Sequence, residues 1–190
     1  MKRILIIGCP GAGKSTFARK LRDLTGLPLI YLDQLWHKAD RTTITREEFD
    51  ASLEQILKAD QWIIDGNYIR TLETRLKHCD TVFFLDYPLD ICLEGARSRI
   101  GKAHEDLPWV ETEFDPEFQQ WIKDFPRDQL PRIYDLLGKY ASGKNIIIFQ
   151  SRDDADNWLN FTFHEAHAGR SSDSESNSDE VCSFQSRFFR

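Results

Sequence analysis

Residues 8–15 read GCPGAGKS, and they stand between the apolar run RILII at 3–7 and the helix-like stretch TFARKLRDL at 16–24. Gly8, Gly13, Lys14 and Ser15 satisfy the pattern G-x-x-x-x-G-K-[ST]. Glycines in such a loop let the backbone turn so that successive N–H groups point inward, forming a concavity for an anion. The helix that opens near Lys14 adds its positive end. A buried strand, a glycine-rich loop and a helix in that order constrain the chain to a parallel, strand-and-helix architecture.

The rest of the sequence repeats that alternation. LPLIYL (27–32), QWIID (61–65), TVFFLD (81–86) and NIIIFQ (145–150) are short apolar runs like RILII, as expected of parallel strands buried on both faces. The spacing between them leaves room for helical crossovers, which predicts a five-stranded parallel sheet with helices on both faces, an α/β fold. Thr45 and Glu48 form a capping box, and Phe49, Leu53, Ile56 and Leu57 then share one helix face. Asp115 and Pro116 give an N-cap and a first-position proline, followed by Phe118, Trp121, Ile122 and Phe125. RIYDLLGKY (132–140) predicts one more amphipathic helix.

With 190 residues, 41% of them hydrophobic, the chain has the material for one such domain, expected over residues 1–160. Residues 100–114, IGKAHEDLPWVETEF, are polar and irregular, and loops that long inside a domain are usually functional. They are expected to form a lid flanked by arginines. Residues 161–190, serine-rich and acidic around HAGRSSDSESNSDEV, predict a disordered tail.

Charge and cysteine usage narrow the function classes. A net charge of -6 supplies no basic field for nucleic acid, and there is no helix-turn-helix, zinc or basic-arm signal, so direct nucleic-acid binding is not expected. The four cysteines, Cys9, Cys79, Cys92 and Cys182, make no C-x-x-C pair. MKRILIIG meets a glycine after four apolar residues and reads as a strand rather than a secretion signal. No apolar run approaches a membrane span, so a reduced cytoplasm and no membrane partner are expected.

The loop pattern predicts a nucleoside triphosphate, ATP, in the cradle of Gly8, Pro10, Gly11, Ala12, Gly13, Lys14 and Ser15. Lys14 would reach the β- and γ-phosphates and Ser15 would put its hydroxyl on Mg²⁺. Cys9 is expected to contribute backbone only. Asp65 ends the third strand, where ligands bind in parallel sheets, and is a candidate to orient the metal, directly or through water. The alternative is that Asp65-Gly66-Asn67 is only a turn. Arg70 is positioned to grip an anion on the acceptor. Asp33 ends the second strand, where it would accept the proton of an attacking hydroxyl or else cap a short helix. Trp36 would stack on a ring or join the core, and His37 reads as a surface histidine. The acceptor pocket is expected between the second and third strands, lined by Asp33, Trp36, Asn67, Tyr68 and Arg70. Arg97, Arg99, Arg127 and Arg132 bracket the lid and would stabilise charge on the transferring group, the alternative being ordinary solvated helix charge.

Taken together, the loop, the third-strand Asp-Gly followed by Arg, FFLDYP (83–88) and the arginine-bearing lid resemble the adenylate-kinase-like P-loop kinases. YLDQLWH (31–37), WIIDGNYIRTLETRL (62–76) and FPRDQLPRIYDLL (125–137) are more specifically similar to the bacterial DNA topology modulation proteins, over about residues 1–160. The resemblance implies a three-layer P-loop NTPase fold with sheet order 2-3-1-4-5. It implies Gly11, Gly13, Lys14, Ser15 and Thr16 around ATP phosphates. It matches Asp65 and Arg70 to the kinase D-G-F-P-R segment, altered here to Asp-Gly-Asn-Tyr-Ile-Arg, which moves the arginine by one residue away from the pattern for a nucleoside-monophosphate acceptor. Asp33 is similar to the acidic residue that small-molecule kinases place after the second strand, which favours a hydroxyl acceptor. The function implied is Mg²⁺-dependent phosphoryl transfer from ATP to an unidentified small molecule, a nucleoside, nucleotide or other metabolite. The alternative is a nucleotide-binding regulator linked to DNA topology with little kinase turnover.

Overall fold

The computed structural model describes residues 1–168. Strand β1 (Arg3–Gly8) is central, with Ile4, Leu5, Ile6 and Ile7 wholly buried. It pairs in parallel with β3 (Trp62–Asp65) on one side and β4 (Thr81–Leu85) on the other. The short β2 (Leu29–Tyr31) lies outside β3 and β5 (Asn145–Phe149) outside β4. All pairings are parallel and the order is 2-3-1-4-5, as expected.

Eight helices accompany the sheet among the described residues: α1 (Lys14–Thr25), α2 (Leu32–Trp36), α3 (Arg46–Leu57), α4 (Ile69–His78), α5 (Leu89–Arg97), α6 (Pro116–Asp128), α7 (Leu130–Tyr140) and α8 (Arg152–Ala168). Adjacent residues of one strand show that both sheet faces are covered, because successive strand side chains point oppositely. Phe83 packs on Phe17 of α1 (5.0 Å between ring centres) and Trp158 of α8 (4.7 Å). Phe84 packs on Tyr134 of α7 at 5.5 Å. The capping signals hold: Thr45 and Glu48 satisfy each other's backbone N–H, and Asp115 accepts from the Phe118 amide at 2.8 Å. Such a cap is worth about 1 kcal/mol.

The expected boundary at residue 160 is corrected. Helix α8 continues to Ala168, eight residues into the stretch read as tail. Its inner face explains why: Ala155 and Leu159 are buried and Trp158 joins the Phe17–Phe83–Phe149 cluster, with Phe163 edge-on to Trp158 at 6.2 Å. The remainder of the expected tail lies outside the described residues. The segment between α5 and α6 forms neither helix nor strand and is closed by a Gly101 N–H to Glu111 C=O bond of 2.7 Å. No helix of the described residues is long and apolar enough to cross a membrane.

Candidate active site

A cleft of about 1110 Å³ opens beside the carboxyl ends of β1 and β3, over the start of α1. Its floor is the glycine-rich loop. Gly11 (φ 78°) and Gly13 (φ 91°) hold left-handed backbone that other residues rarely adopt. Gly13 is the N-cap of α1, no side chain caps that helix, and its first turn holds no acidic residue. The leading N–H groups are therefore available to an anion. Lys14 lies along the loop with its Nζ donating to the Cys9 carbonyl at 3.0 Å. Pro10, Gly11, Ala12, Gly13, Lys14, Ser15 and Thr16 all line the cleft. Gly8 does not line it. A Cβ there would stand 2.5 Å from the Leu85 carbonyl oxygen, so this glycine serves the close approach of β1 to β4.

Asp65 is the last residue of β3, only 4% exposed, and its Oδ1 has no hydrogen-bond partner. Burial raises its carboxyl to about 6, opposed by the charge of Lys14 and the Ser15 hydroxyl beside it. The strand-end carboxylate thus lies beside both Lys14 and Ser15.

Asp33 lies in the first turn of α2, and the N-cap of that helix is Tyr31, so the capping alternative does not hold. Its carboxylate faces the cleft and accepts a 2.8 Å hydrogen bond from the Tyr68 hydroxyl. One helical turn further, His37 also lines the cleft, its ring edge-on to Trp109 at 5.0 Å and its Nδ1 buried without a partner. Burial lowers the imidazole pKa, and the Asp33 charge opposes that. The sequence reading of His37 as a surface residue is thus corrected. So is that of Trp36 as a lining residue. The same turn that aims 33 and 37 at the cleft aims Trp36 at α3, where it packs edge-on against Phe49 at 5.5 Å. An i, i+4 spacing from Asp33 was the signal that would have found His37.

Asn67 and Tyr68 line the cleft, both from the β3–α4 loop. Tyr68 stacks on Phe49 at 5.3 Å and has an unusual backbone, φ 24°. Arg70 borders the cleft, but its guanidinium is held bidentately by Asp50 of α3, at 2.8 and 2.7 Å, and lies over the Phe49 ring. Its charge is already engaged. Sequence reading missed Arg75, which is wholly buried and bonds to carbonyls of the same loop.

The lid arginines divide. Arg99 lines the cleft and ties the 98–115 segment together by pairing with Asp106 (2.9 Å) and Glu111 (3.2 Å). Arg97 is exposed, lies over the Phe114 ring at 5.8 Å and is not in the cleft wall. Arg127 is also outside, 72% exposed and paired with its neighbours Asp124 and Asp128, because the buried face of α6 belongs to Ile122 and Phe125. Arg132 is likewise exposed. Three other arginines stand in the cleft wall: Arg19, near the buried Asp106 at 3.8 Å, Arg41 between α2 and α3, and Arg152 at the start of α8. Arg19 was findable, one helical turn beyond Ser15. Arg152 carried no local signal.

The chain matches no family model. It is 30% identical over 91 residues to the adenylate kinase of Thermotoga petrophila, covering 46% of this chain and 40% of that protein. It is 29% identical over 114 residues to the adenylate kinase of Thermotoga neapolitana (54% and 51%). The match thus spans about half or less of these relatives' length. Among solved structures it is similar to shikimate kinase from Acinetobacter baumannii in complex with shikimate, with TM-score 0.55, 17% identity, and 87% and 94% of the two chains covered. A shikimate kinase from Bacteroides thetaiotaomicron gives TM-score 0.54 at 14% identity (87% and 98%), and a sugar kinase from Janibacter sp. HTCC2649 gives 0.52 at 16% (87% and 95%). These likenesses, with the 2-3-1-4-5 parallel sheet, establish the three-layer α/β P-loop NTPase fold.

Proposed function

We propose that the protein is an ATP-dependent, Mg²⁺-assisted kinase that phosphorylates a hydroxyl of a small molecule. One observation carries the reading: the anion-receptive loop with Lys14 and the carboxylate of Asp33 face a single cleft. The similarity to adenylate kinases supports it.

The residues present suit the groups the reading requires. The uncapped start of α1 is free of acidic side chains, and the unpartnered Oδ1 of Asp65 beside Ser15 is an oxygen of the kind Mg²⁺ takes alongside phosphates. Bound there, the metal would neutralise phosphate charge. The chain's own residues do the rest. The loop N–H groups hold the phosphates, and Lys14 exchanges the Cys9 carbonyl for phosphate oxygens. Asp33 accepts the proton of the attacking hydroxyl, and Tyr68 orients that carboxylate. Arg19 and Arg152 bring positive charge to the cleft wall for the transferring group, while Arg99, engaged by Asp106 and Glu111, holds the 98–115 segment in place. The 98–115 segment, tied by Arg99, excludes water when it closes over the cleft.

Because Asp50 occupies both arms of the Arg70 guanidinium, that residue offers no free clamp to a phosphate ester. Unphosphorylated hydroxyl acceptors, nucleosides among them, are favoured over nucleoside monophosphates. Cys9, Cys79 and Cys92 are free and buried, which favours a reducing compartment such as the cytoplasm.

The experiment is ADP formation from ATP and Mg²⁺ across nucleosides, nucleoside monophosphates and other hydroxylated metabolites, with Lys14→Ala as control. A rate that rises with one acceptor and vanishes in Lys14→Ala supports the reading. ATP bound but not turned over with any acceptor would move the weight to a regulatory role, as the resemblance to DNA topology modulation proteins implies.

A further inference from the structure

Arg75 is 0% exposed, yet among the described residues it forms no ion pair. Its guanidinium donates instead to three successive carbonyls of the β3–α4 loop, those of Gly66 (2.8 Å), Asn67 (2.6 Å) and Tyr68 (2.9 Å). A cation buried without a carboxylate is expensive, and an apolar side chain of similar size would fill the same space without that penalty. The geometry therefore calls for something that only a forked donor supplies.

What it supplies is visible at Tyr68. That residue holds φ 24° and ψ 69°, outside the usual regions for a side-chain-bearing residue. Such backbone persists only where the surroundings over-determine it, and it clusters at functional sites. Here three donors converge on the Tyr68 carbonyl: Arg75, the Thr71 amide at 3.0 Å and the Thr71 hydroxyl at 3.3 Å. With the loop's carbonyls drawn to Arg75, the side chains of Asn67 and Tyr68 face the cleft, and the Tyr68 hydroxyl meets Asp33.

We propose that Arg75 is a positioning residue for the acceptor side of the cleft: by gripping three consecutive carbonyls it holds the β3–α4 loop in the shape that sets Tyr68 against Asp33. The inference deepens the proposed kinase reading and rests on it for the role of Asp33. Arg75 touches no reacting atom; it acts through Tyr68.

The test compares Arg75→Lys, Tyr68→Phe and the double variant. It reads amide hydrogen exchange at Asn67, Tyr68 and Ile69, Mg·ADP affinity, and turnover of the acceptor identified in the panel. Arg75→Lys is expected to speed loop exchange and to lower kcat/KM for the acceptor, each by about tenfold or more, while Mg·ADP affinity stays within about twofold. Adding Tyr68→Phe should then cost little further, since both changes break the same link. Unchanged loop exchange, fully additive losses, or an equal loss of Mg·ADP affinity would overturn the proposal. If no acceptor is phosphorylated, the kinase reading fails while loop exchange still decides what Arg75 does. If Arg75→Lys does not fold, the wild-type ¹⁵N spectrum decides: Arg75 Nη hydrogens in slow rotation and slow exchange support the grip, and freely rotating ones overturn it.

Discussion

Gly95 of α5 stands so close to the glycine-rich loop that a methyl group on it would lie 2.0 Å from the Gly11 carbonyl oxygen. The contact is reciprocal, since a Cβ on Gly11 would lie 1.9 Å from the Cys92 carbonyl oxygen. Two backbones thus meet without side chains between them, and α5 props the loop from behind. Gly95→Ala keeps helical φ and ψ available, so its effect isolates the collision. Overpacking of this kind costs about 1–3 kcal/mol, and here the yielding part is the glycine-rich loop. The expected result is a fall in melting temperature together with weaker Mg·ADP binding, by calorimetry. Unimpaired nucleotide affinity would mean that α5, and not the loop, gives way.

Asp65 makes stability depend on pH in a direction unusual for a carboxylate. Its folded pKa, raised to about 6 by burial, exceeds the ordinary value of 3.8. Between those values the folded state binds more protons than the unfolded one, so stability of the metal-free protein falls as pH rises from about 4 to 6. Asp65→Asn removes the penalty. It is expected to be more stable than wild type at pH 7.5, by about 3 kcal/mol at most, with the difference fading below about pH 4, while Mg²⁺-dependent turnover is lost. Denaturant melts at several pH values, without metal, measure this.

Arg99 and Arg127 were equivalent in the sequence and are not in the structure. Arg127→Ala removes only exposed pairs with its own helix neighbours and should leave kcat/KM within about twofold. Arg99→Ala cuts the 98–115 segment loose from Asp106 and Glu111 and should lower kcat by about tenfold or more. Steady-state kinetics on the two variants separate the outcomes.

Ending the chain after Asn160 removes the Phe163 contact with Trp158 and the last two turns of α8. A chain ending at Ala168 keeps both. The shorter one is expected to melt several degrees lower, as a loss of about 1–2 kcal/mol would produce.

Fold and loop were legible because both rest on short-range rules. Apolar runs such as RILII and NIIIFQ identified the strands, Thr45–Glu48 and Asp115–Pro116 gave helix starts, and G-x-x-x-x-G-K-[ST] gave the cleft floor. Asp65 was legible because a strand end fixes a direction. What failed were orientations set by helix phase and by distant partners. Trp36 and His37 are adjacent, yet one packs on Phe49 and the other lines the cleft. Nothing near Arg70 announced Asp50, and nothing near Arg75 announced that its own loop would be its partner. The extent of α8 was not legible because the serine and acid of 171–180 follow it closely, and the contact of Phe163 is with Trp158 of the same helix, which composition does not show.

Helix α2 has five residues, scarcely more than one turn, and it aims Asp33 and, at its C-cap, His37 into the cleft. Its reading frame therefore acts as a selector. A single inserted residue would rotate the downstream side chains by about 100°, sending His37 out of the cleft and another side chain in. The glycine-rich loop, between β1 and α1 and backed by α5, would not feel the change. Under the proposed kinase reading, small insertions at one short helix would change the acceptor side of the cleft and leave the glycine-rich loop as it is.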